Sequence, residues 1–406
     1  GMGAVTPIGN SVEDYWQGLL EGRSGVGPIT LFDPSEYPTK IAAEVKGFDG
    51  KEYFDRKDER LMSRPAQFGV ASALMALEDA GWEDNPNEGP LGVVTGISNS
   101  AQDAVEDQID RLIQHGYRRV LPYVLTKSFP HSTASETGRL TGFQDHVMTI
   151  STGCTSGMNS VGHAINEIRA GRCRAMLCIS TDATIAKYVF AGFCRAGLLT
   201  TRNEDPEHAS RPFDADRDGG VLGEGAAAFL VEDPDHARVR GARVYAEILG
   251  FASAGSGYRF DDEGAIRTGM VRAIREGLAD ANCGVENIDY IGCHGVSDKH
   301  LDLWETQAFK EVFGTRAYDV PISSVKGHIG IPQNAAGHLQ AVAVVKALSE
   351  GLLPATANYQ TPDPECDLDY IPSEPRRNRI RRAMVFAHGF NGSDAVLILK
   401  RPEDES

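Results

Sequence analysis

Cys154 is the side chain whose sequence surroundings best suit nucleophilic chemistry. It follows a predicted strand at 147–151, precedes a predicted helix, and is flanked by Gly153 and Gly157. Unpaired backbone N–H groups and the positive end of the helix dipole favour a thiolate there, and the same N–H groups can hold a developing oxyanion. The alternative is a buried, unreactive cysteine, which is the usual state of an unpaired cysteine.

Two further reactive side chains also stand at predicted strand ends. His294 follows a strand at 288–292, and Lys326 follows a strand at 320–323. Because the ends of parallel strands open into ligand crevices, a cysteine, a histidine and a lysine at three such ends predict a thiol-based site. Each has an ordinary alternative, a hydrogen-bonded loop histidine and a solvated surface lysine. The turn at 389–392 ends a fourth strand and offers a backbone donor.

Other polar motifs point away from nucleotide and metal chemistry. The glycine-rich stretch 219–225 lacks the Lys-Ser/Thr ending and the strand-before, helix-after context of a phosphate loop. Cys173 and Cys178 lack the two-residue spacing of a zinc ribbon, so no metal site is predicted. Asp302 and Glu305 share one face of a predicted helix, where a structural cap or an ion pair is favoured over paired acid–base catalysis.

The elements that position these residues alternate between helix and strand, which predicts an α/β protein with mainly parallel strands. An Asp-Pro-Asp sequence at 233–235 divides the chain into two halves. The first, 1–235, carries the cysteine, and the second, 236–406, carries the histidine and the lysine. No strand is predicted before the glycine turn at the start of the sequence, so the sequence is expected to begin inside a domain.

Helical spacing and short apolar runs set the predicted element bounds. Residues 100–142 are polar and mixed and are predicted to form helices and loops that cap one side. The other predicted helices lie at 12–20, 64–80, 158–171, 264–281, around 301–312 and at 335–348. The predicted strands lie at 91–94, 147–151, 175–179, 226–231, 244–248, 288–292, 320–323, 383–387 and 395–399.

Length, composition and charge exclude several classes of protein. The chain has 406 residues, 41% apolar and 24% charged, the balance of a globular protein with two to three folding units. No run approaches the roughly 18 apolar residues of a membrane span. Forty basic against 57 acidic residues give a net charge of −17, which disfavours nucleic acid and anionic membranes as partners. Seven cysteines, without a secretory signal, predict reduced thiols and a cytoplasmic location.

Taken together, these residues resemble the β-ketoacyl-(acyl carrier protein) synthase family, the decarboxylating condensing enzymes of the thiolase fold. The Thr-Gly-Cys-Thr-Ser-Gly sequence at 152–157 matches the family's nucleophile motif. With the stretch 205–214, it is most similar to the ketosynthase subunit of type II polyketide systems and to ketoacyl synthase II. Residues 3–9 match the family's opening, whose first strand normally precedes it, and this predicts a truncated N-terminus.

The resemblance implies a five-layered αβαβα fold of two similar halves with mixed, mainly parallel sheets. It implies a dimer, either of this chain alone or with another ketosynthase-like chain. It implies that an acyl carrier protein delivers the acyl group to the cysteine. It further implies that a malonyl-carrier protein then loses CO2, assisted by two histidines, and that the carbanion attacks the acyl-cysteine. No metal or dissociable cofactor is implied, because the phosphopantetheine arm belongs to the carrier.

The resemblance also assigns roles residue by residue. The matching positions are Cys154 as nucleophile, His294 as the first histidine, Lys326 as the family lysine, Glu305 as the structural acid, and Phe390 as the gating phenylalanine, whose backbone N–H joins that of the cysteine in the oxyanion hole.

Several positions of the predicted substrate pocket depart from the family pattern. The second histidine is Ile331, and the two threonines that contact the pantetheine arm are Val296 and Asp298. Two phenylalanines are replaced by Gly220 and His388, which predicts an enlarged or repolarised pocket. An aliphatic side chain cannot donate a hydrogen bond to a thioester carbonyl, and losing one such donor costs about 2.7–4 kcal/mol of transition-state stabilisation.

Three functions therefore stay open. The first is an elongating ketosynthase of polyketide or specialised fatty-acyl assembly, in which His388, or less favourably His328, replaces the lost histidine. The second is an acyltransferase that uses Cys154 and His294 without decarboxylating malonate. The third is a non-catalytic partner like a chain-length factor, which the intact Gly-Cys-Thr sequence disfavours because such partners typically lack the cysteine.

Carrier proteins are acidic, and this chain is acidic too. Electrostatic docking of a carrier protein therefore requires a local basic patch on its surface. Arg56, Arg60 and Arg64 share one face if the stretch is a single helix, which makes them the predicted docking patch. Pro65 disfavours helical geometry at Arg64 unless a helix starts there. The alternative is a solvated face balanced by the neighbouring acidic residues.

Overall fold

The computed structural model describes residues 1–83, 89–257, 263–390 and 392–403. The helices are α1 Val12–Leu20, α2 Arg56–Leu61, α3 Arg64–Asp79, α4 Gln102–His115, α5 Val124–Ser128, α6 Ser132–Thr141, α7 Ser156–Arg169, α8 Lys187–Arg195, α9 Pro234–Val239, α10 Glu263–Asp280, α11 Lys299–Phe313, α12 Lys326–Ile329 and α13 Ala335–Glu350. The strands are β1 Met2–Val5, β2 Val26–Pro28, β3 Ile41–Ala43, β4 Leu91–Gly96, β5 His146–Ile150, β6 Ala175–Ala183, β7 Glu224–Glu232, β8 Glu247–Gly255, β9 Tyr290–Gly292, β10 Ile322–Ser323, β11 Leu352–Leu353, β12 Arg376–Arg377, β13 Arg382–Gly389 and β14 Ser393–Lys400.

Each half of the chain builds a five-stranded sheet with the same topology. The order is β5-β4-β6-β7-β1 in the first sheet and β10-β9-β13-β14-β8 in the second. In both sheets the first two pairings are parallel and the last two antiparallel. The strands that correspond also follow one another in the same order along the chain. Two similar halves with mixed sheets are thus confirmed, with parallel pairings making up half of each sheet.

The helices and sheets stack in five layers, which confirms the predicted αβαβα arrangement. α7 and α13 pack against each other between the two sheets. α3 and α6 cover the outer face of the first sheet, and α10 covers the outer face of the second, with α11 packed against α10. Thirteen of the sixteen residues of α13 are buried, as its apolar sequence requires for a helix enclosed on all sides.

Two elements at the start of the chain differ from the sequence predictions. Met2–Val5 forms a fully buried strand that pairs antiparallel with β7, where no strand was predicted. Its four small and apolar residues give too short a pattern for recognition, and the neighbouring strand decides the conformation. In the second half, the strand predicted at 244–248 begins only at Glu247 and continues to Gly255.

The predicted arginine patch is also wrong in its third member. The chain is extended at Met62 (ψ 146°) and Ser63 (ψ 165°), so α2 ends before Arg64 and α3 begins there, with Pro65 in its first turn. The Arg64 guanidinium binds the fully buried carboxylate of Glu224, with Nε 2.8 Å from Oε2. Arg64 is therefore committed to an ion pair inside the protein. No helix in the described part of the chain is long and apolar enough to span a membrane.

Candidate active site

The loop between β5 and α7 holds Cys154 in a backbone frame built from short polar contacts. Gly153 has a φ of 69°, a left-handed conformation that glycine adopts without strain. The Ser156 hydroxyl accepts a hydrogen bond from the Thr152 N–H at 2.8 Å and donates to the Gly153 carbonyl at 2.6 Å. The Ser98 hydroxyl, beyond the end of β4, donates to the same carbonyl at 2.7 Å. The nucleophile loop is therefore fixed before any substrate binds.

The tight turn between β13 and β14 forms the opposite wall. A Cβ on Gly389 would lie 3.4 Å from the Cys154 backbone nitrogen, so the two backbones are in close contact. The Ser393 hydroxyl donates to the Thr152 carbonyl at 2.8 Å, which ties the turn to the nucleophile loop. The backbone N–H of Phe390 faces the Cys154 thiol. This brings together the nucleophile and the backbone donor predicted for the oxyanion hole.

The environment of Cys154 keeps its thiol protonated at rest. Burial raises the pKa of the Cys154 thiol, while the Phe390 N–H and the Lys326 charge act in the opposite direction. Asp182, at the end of β6, adds a smaller upward effect on that pKa. The Cys154 thiol is therefore neutral until it reacts, although the Phe390 N–H and the Lys326 charge lie near it. Such fixed donors suit an oxyanion hole, which stabilises negative charge that develops during the reaction.

His294, in the loop after β9, is held in one tautomer. Its Nδ1 accepts a hydrogen bond from the backbone N–H of His388 at 3.2 Å, so Nδ1 carries no proton. Burial, with the neighbouring Lys326 charge, holds the pKa of His294 well below its usual range, so the ring is neutral. The remaining proton is then on Nε2. His294 is therefore arranged as a hydrogen-bond donor rather than as the base of a Cys–His pair.

Two buried carboxylates and the family lysine hold this loop. Glu305 accepts the N–H of His294 at 2.6 Å and that of Gly295 at 2.8 Å. Asp302 accepts the N–H of Val296 at 2.8 Å. The Lys326 ammonium donates to the His294 carbonyl. Burial raises the pKa of Glu305 and lowers that of Lys326, while each counteracts the other's shift. Glu305 therefore holds the backbone of this loop at two consecutive residues, and its role as the structural acid stays a prediction.

The departures Ile331 and Gly220 are sterically linked. A Cβ on Gly220 would lie 2.4 Å from Ile331 Cδ1 and 2.8 Å from the Val296 carbonyl oxygen. Ile331 is fixed by backbone bonds, its N–H donating to the Val221 carbonyl at 2.8 Å. The Ile331 side chain thus occupies the space next to Gly220, and the pocket enlargement expected at that position is not observed.

The other predicted pocket residues have defined partners of their own. Asp298 caps α11, accepting the N–H groups of His300 and Leu301 at 2.9 Å each. The His388 ring binds the buried Asp394 carboxylate through Nδ1 at 2.7 Å. His328 lies between two backbone carbonyl oxygens, at 2.9 Å and 3.3 Å from its ring nitrogens, as expected for a structural histidine.

Gln333 is a contact of the nucleophile that the sequence patterns did not identify. Its Oε1 lies 3.3 Å from the Cys154 sulfur and accepts the thiol hydrogen bond. The only signal in the sequence is a pair of amides, Gln333 and Asn334, that directly follows Ile331 and Pro332. Nothing in its spacing indicates that the side chain turns towards a cysteine 179 residues earlier.

One cluster of potential metal ligands lies away from this site. His146, His163 and Glu167 place ligand atoms within 4.8 Å of one another. Both carboxylate oxygens of Glu167 bind the Arg172 guanidinium, at 2.6 and 2.7 Å, which puts a positive charge next to the cluster. That charge opposes cation binding.

Comparison with known proteins agrees with this geometry. The family model described as Beta-ketoacyl synthase, N-terminal domain, matches residues 1–237, and the corresponding C-terminal domain model matches residues 245–360. The chain is 38% identical to the 3-oxoacyl-[acyl-carrier-protein] synthase 2 of Synechocystis sp., over 99% of this chain and 97% of the relative. It is 36% identical to the tetracenomycin polyketide synthase ketoacyl synthase alpha subunit of Streptomyces glaucescens, over 100% and 96%.

Solved structures give the same result. The ishigamide ketosynthase/chain length factor superimposes with a TM-score of 0.92 at 31% identity, covering 99% of this chain and 98% of the other. A type II polyketide ketosynthase in complex with its acyl-carrier protein gives 0.89 at 31% identity, over 99% and 98%. These matches support a ketosynthase-type enzyme with the thiolase-like ketosynthase fold. The chain belongs to the β-ketoacyl synthase family.

Proposed function

We propose that this protein is a condensing ketosynthase of polyketide or specialised fatty-acyl assembly, which carries its acyl group on Cys154 and receives it from an acyl carrier protein. The observation that carries the proposal is the Cys154 thiol enclosed by the nucleophile loop and the Phe390 turn. Relatives named 3-oxoacyl-ACP synthases and polyketide ketosynthases support it.

The first half-reaction is acyl transfer. The Cys154 sulfur attacks the carbonyl carbon of the carrier thioester as its thiol proton leaves, and the oxyanion is held by the N–H groups of Cys154 and Phe390. The bond from the carbonyl carbon to the pantetheine sulfur then breaks. The pantetheine sulfur takes up the proton that the Cys154 thiol gave up, so the products are an acyl-cysteine and a free carrier thiol.

The second half-reaction needs donors for a second thioester. The proton on His294 Nε2 suits the carbonyl oxygen of a carrier-bound extender, on which negative charge develops as CO2 leaves. Lys326 and Glu305 hold the backbone of this histidine and so act as positioning residues.

Carrier docking is proposed on α2 and α5. Arg56 and Arg60 are exposed, and the charged groups of Arg60 and Lys127 lie 6.0 and 5.7 Å from the ring of Tyr123. Arg56, Arg60 and Lys127 therefore take the place of the docking patch predicted from the sequence, because Arg64 is paired with Glu224. A dimer, of this chain or with another ketosynthase-like chain, is proposed from the ketosynthase/chain length factor relative.

Intact-protein mass spectrometry with a CO2 readout tests the proposed function. The protein is given an acyl-carrier donor and then malonyl-carrier protein. We expect an acyl adduct on the wild type and on Cys283→Ala, whose cysteine lies outside the site, and none on Cys154→Ala. Absence of an adduct on the wild type, or its persistence in Cys154→Ala, contradicts the proposal.

Ile331 favours a second candidate, acyl transfer without malonate decarboxylation. The isoleucine removes a donor that decarboxylation uses, and it leaves the oxyanion hole at Cys154 intact. The distinguishing result is acylation of Cys154 with no CO2 release from malonyl-carrier protein.

A further inference from the structure

A buried amide with an unpaired N–H2 group lies against the nucleophile. Gln333 is 4% exposed, and its Oε1 is 3.3 Å from the Cys154 sulfur. Its Nε2 is buried and has no hydrogen-bond partner among the described residues. Buried donors are almost always paired, so an unpaired one beside a reactive sulfur indicates a partner that arrives with the substrate.

The segment around Gln333 is fixed on both of its sides against the first half of the protein. On one side, the Gly223 N–H donates to the Ile331 carbonyl at 3.1 Å. On the other, Asn334 Nδ2 donates to the Thr181 carbonyl at 3.0 Å. Between them Gln333 has a φ of 49°, which a residue with a side chain rarely adopts. Such a conformation persists where the surroundings enforce it, and it clusters at functional sites.

The contact with Cys154 changes when the cysteine reacts. Before the reaction, the Cys154 thiol donates a hydrogen bond to Gln333 Oε1. An acylated sulfur has no proton to donate, so the amide loses this bond and its orientation is no longer set by the thiol. The N–H2 group, with two donors, is then available to a second thioester.

We propose that Gln333 is a catalytic residue that donates a hydrogen bond to the thioester carbonyl of a carrier-bound malonyl unit, in the place of the donor that Ile331 cannot supply. This inference rests on the proposed function. It assigns the second donor to Gln333 rather than to His388, whose Nδ1–H donates to the Asp394 carboxylate at 2.7 Å, so that Nε2 of the singly protonated ring has no hydrogen to donate.

The bond from the malonyl C2 to its carboxylate breaks, CO2 leaves, and the electron pair forms an enolate whose oxygen is held by Gln333 Nε2 and His294 Nε2. The enolate carbon attacks the carbonyl carbon of the acyl-cysteine. The Cys154 sulfur leaves as a thiolate and takes up a proton from solvent, and the product is a 3-oxoacyl-carrier thioester.

The test compares Gln333→Met with wild type and with Gln17→Met, an exposed glutamine far from the site. Methionine keeps the length of the side chain and removes the donor. We expect CO2 release and 3-oxoacyl product to fall about 10²–10³-fold. Acyl loading of Cys154 should fall less than about tenfold, because it depends on the oxyanion hole. Gln17→Met should behave as wild type.

A rescue variant guards against a purely structural effect. Ile331→His added to Gln333→Met supplies an N–H donor from the neighbouring position, and we expect it to restore at least about a tenth of the lost CO2 release. If Gln333→Met loads Cys154 and still releases CO2 at more than a third of the wild-type rate, the proposal is overturned. If Gln333→Met does not fold, Gln333→His, which keeps an N–H donor, must fold and release CO2, and its failure to release CO2 counts against the proposal.

The wild type and Gln333→Met together separate this inference from the proposed function. CO2 release by the wild type that Gln333→Met keeps overturns the role of Gln333 alone. Loading of Cys154 without CO2 release in the wild type also overturns the condensing step and leaves acyl transfer standing. Failure to load Cys154 from any acyl-carrier donor contradicts the proposed function itself.

Discussion

The two halves of the molecule use one strand order for different chemical tasks. The loop after β5 carries Cys154, and α12, which follows the corresponding strand β10, begins with Lys326. The loop after β4 carries Ser98, which braces the nucleophile loop, and the loop after β9 carries His294. The scaffold thus provides equivalent positions, and under the proposed function the side chains at those positions supply the nucleophile from one half and hydrogen-bond donors from the other.

The halves differ most in the connection between their last two long strands. In the first half, residues 184–223 separate β6 from β7, and this long connection, which includes α8, brings Gly220 against Ile331. In the second half, β13 and β14 are joined by a tight turn that carries Phe390 to the nucleophile. The long β6–β7 connection therefore contributes to the pocket wall, whereas the short β13–β14 turn supplies a backbone donor.

The largest predicted effect separates the tasks of the two halves. His294→Ala removes a donor of the second half, so CO2 release should fall about 10²–10³-fold, measured with malonyl-carrier protein. Acyl loading of Cys154 should fall far less, because His294 carries its proton on Nε2 and is not a base. His208→Ala, at an exposed histidine, is the control. Equal loss of loading and CO2 release in His294→Ala would show that His294 serves the nucleophile directly.

A second prediction sharpens the description of the nucleophilic half through pH. Because the pKa of Cys154 is raised above its ordinary 9.0, the thiolate fraction increases throughout the neutral range. Alkylation by iodoacetamide should therefore become faster by about tenfold per pH unit, or about 100-fold between pH 7 and 9. The rate at Cys154 is read by peptide mass spectrometry. A plateau below pH 8 would mean a lowered pKa and contradict the expectation.

A third prediction concerns the contact between the halves at the pocket. Gly220→Phe restores the family residue but places its Cβ 2.4 Å from Ile331 Cδ1, so it should cost about 1–3 kcal/mol of unfolding free energy. Chemical denaturation measures the cost. Adding Ile331→Ala should recover part of it, because the clashing methyl group is removed. A Gly220→Phe protein as stable as wild type would show that the two positions are independent.

The smallest predicted effect is on carrier docking by the first half. Arg60→Glu reverses a charge beside Tyr123 and Lys127, and we expect the KM for the acyl-carrier donor to rise about threefold to tenfold, with loading at saturation unchanged. Arg238→Glu, at an exposed arginine on α9, is the control. An identical KM for both variants would place the docking surface elsewhere.

Local sequence patterns were enough to predict most of the helices and strands and the candidate site residues that follow strand ends. α1 has the predicted bounds, 12–20, and α13 begins at the predicted residue, because apolar spacing and helix ends are local properties. Cys154, His294 and Lys326 were identified because parallel strands deliver their ends to one edge. The motif match then named Phe390, and its backbone N–H faces the Cys154 thiol.

Contacts between residues far apart in the chain could not be predicted from the sequence and are seen only in the tertiary structure. It paired Arg64 with Glu224, gave His294 its tautomer through the His388 backbone, and placed Gln333 at Cys154. It also linked Gly220 to Ile331, two departures that the sequence presents as unrelated. Such contacts depend on side-chain direction and on how the two sheets pack around α7 and α13, and neither leaves a periodic signal in the sequence.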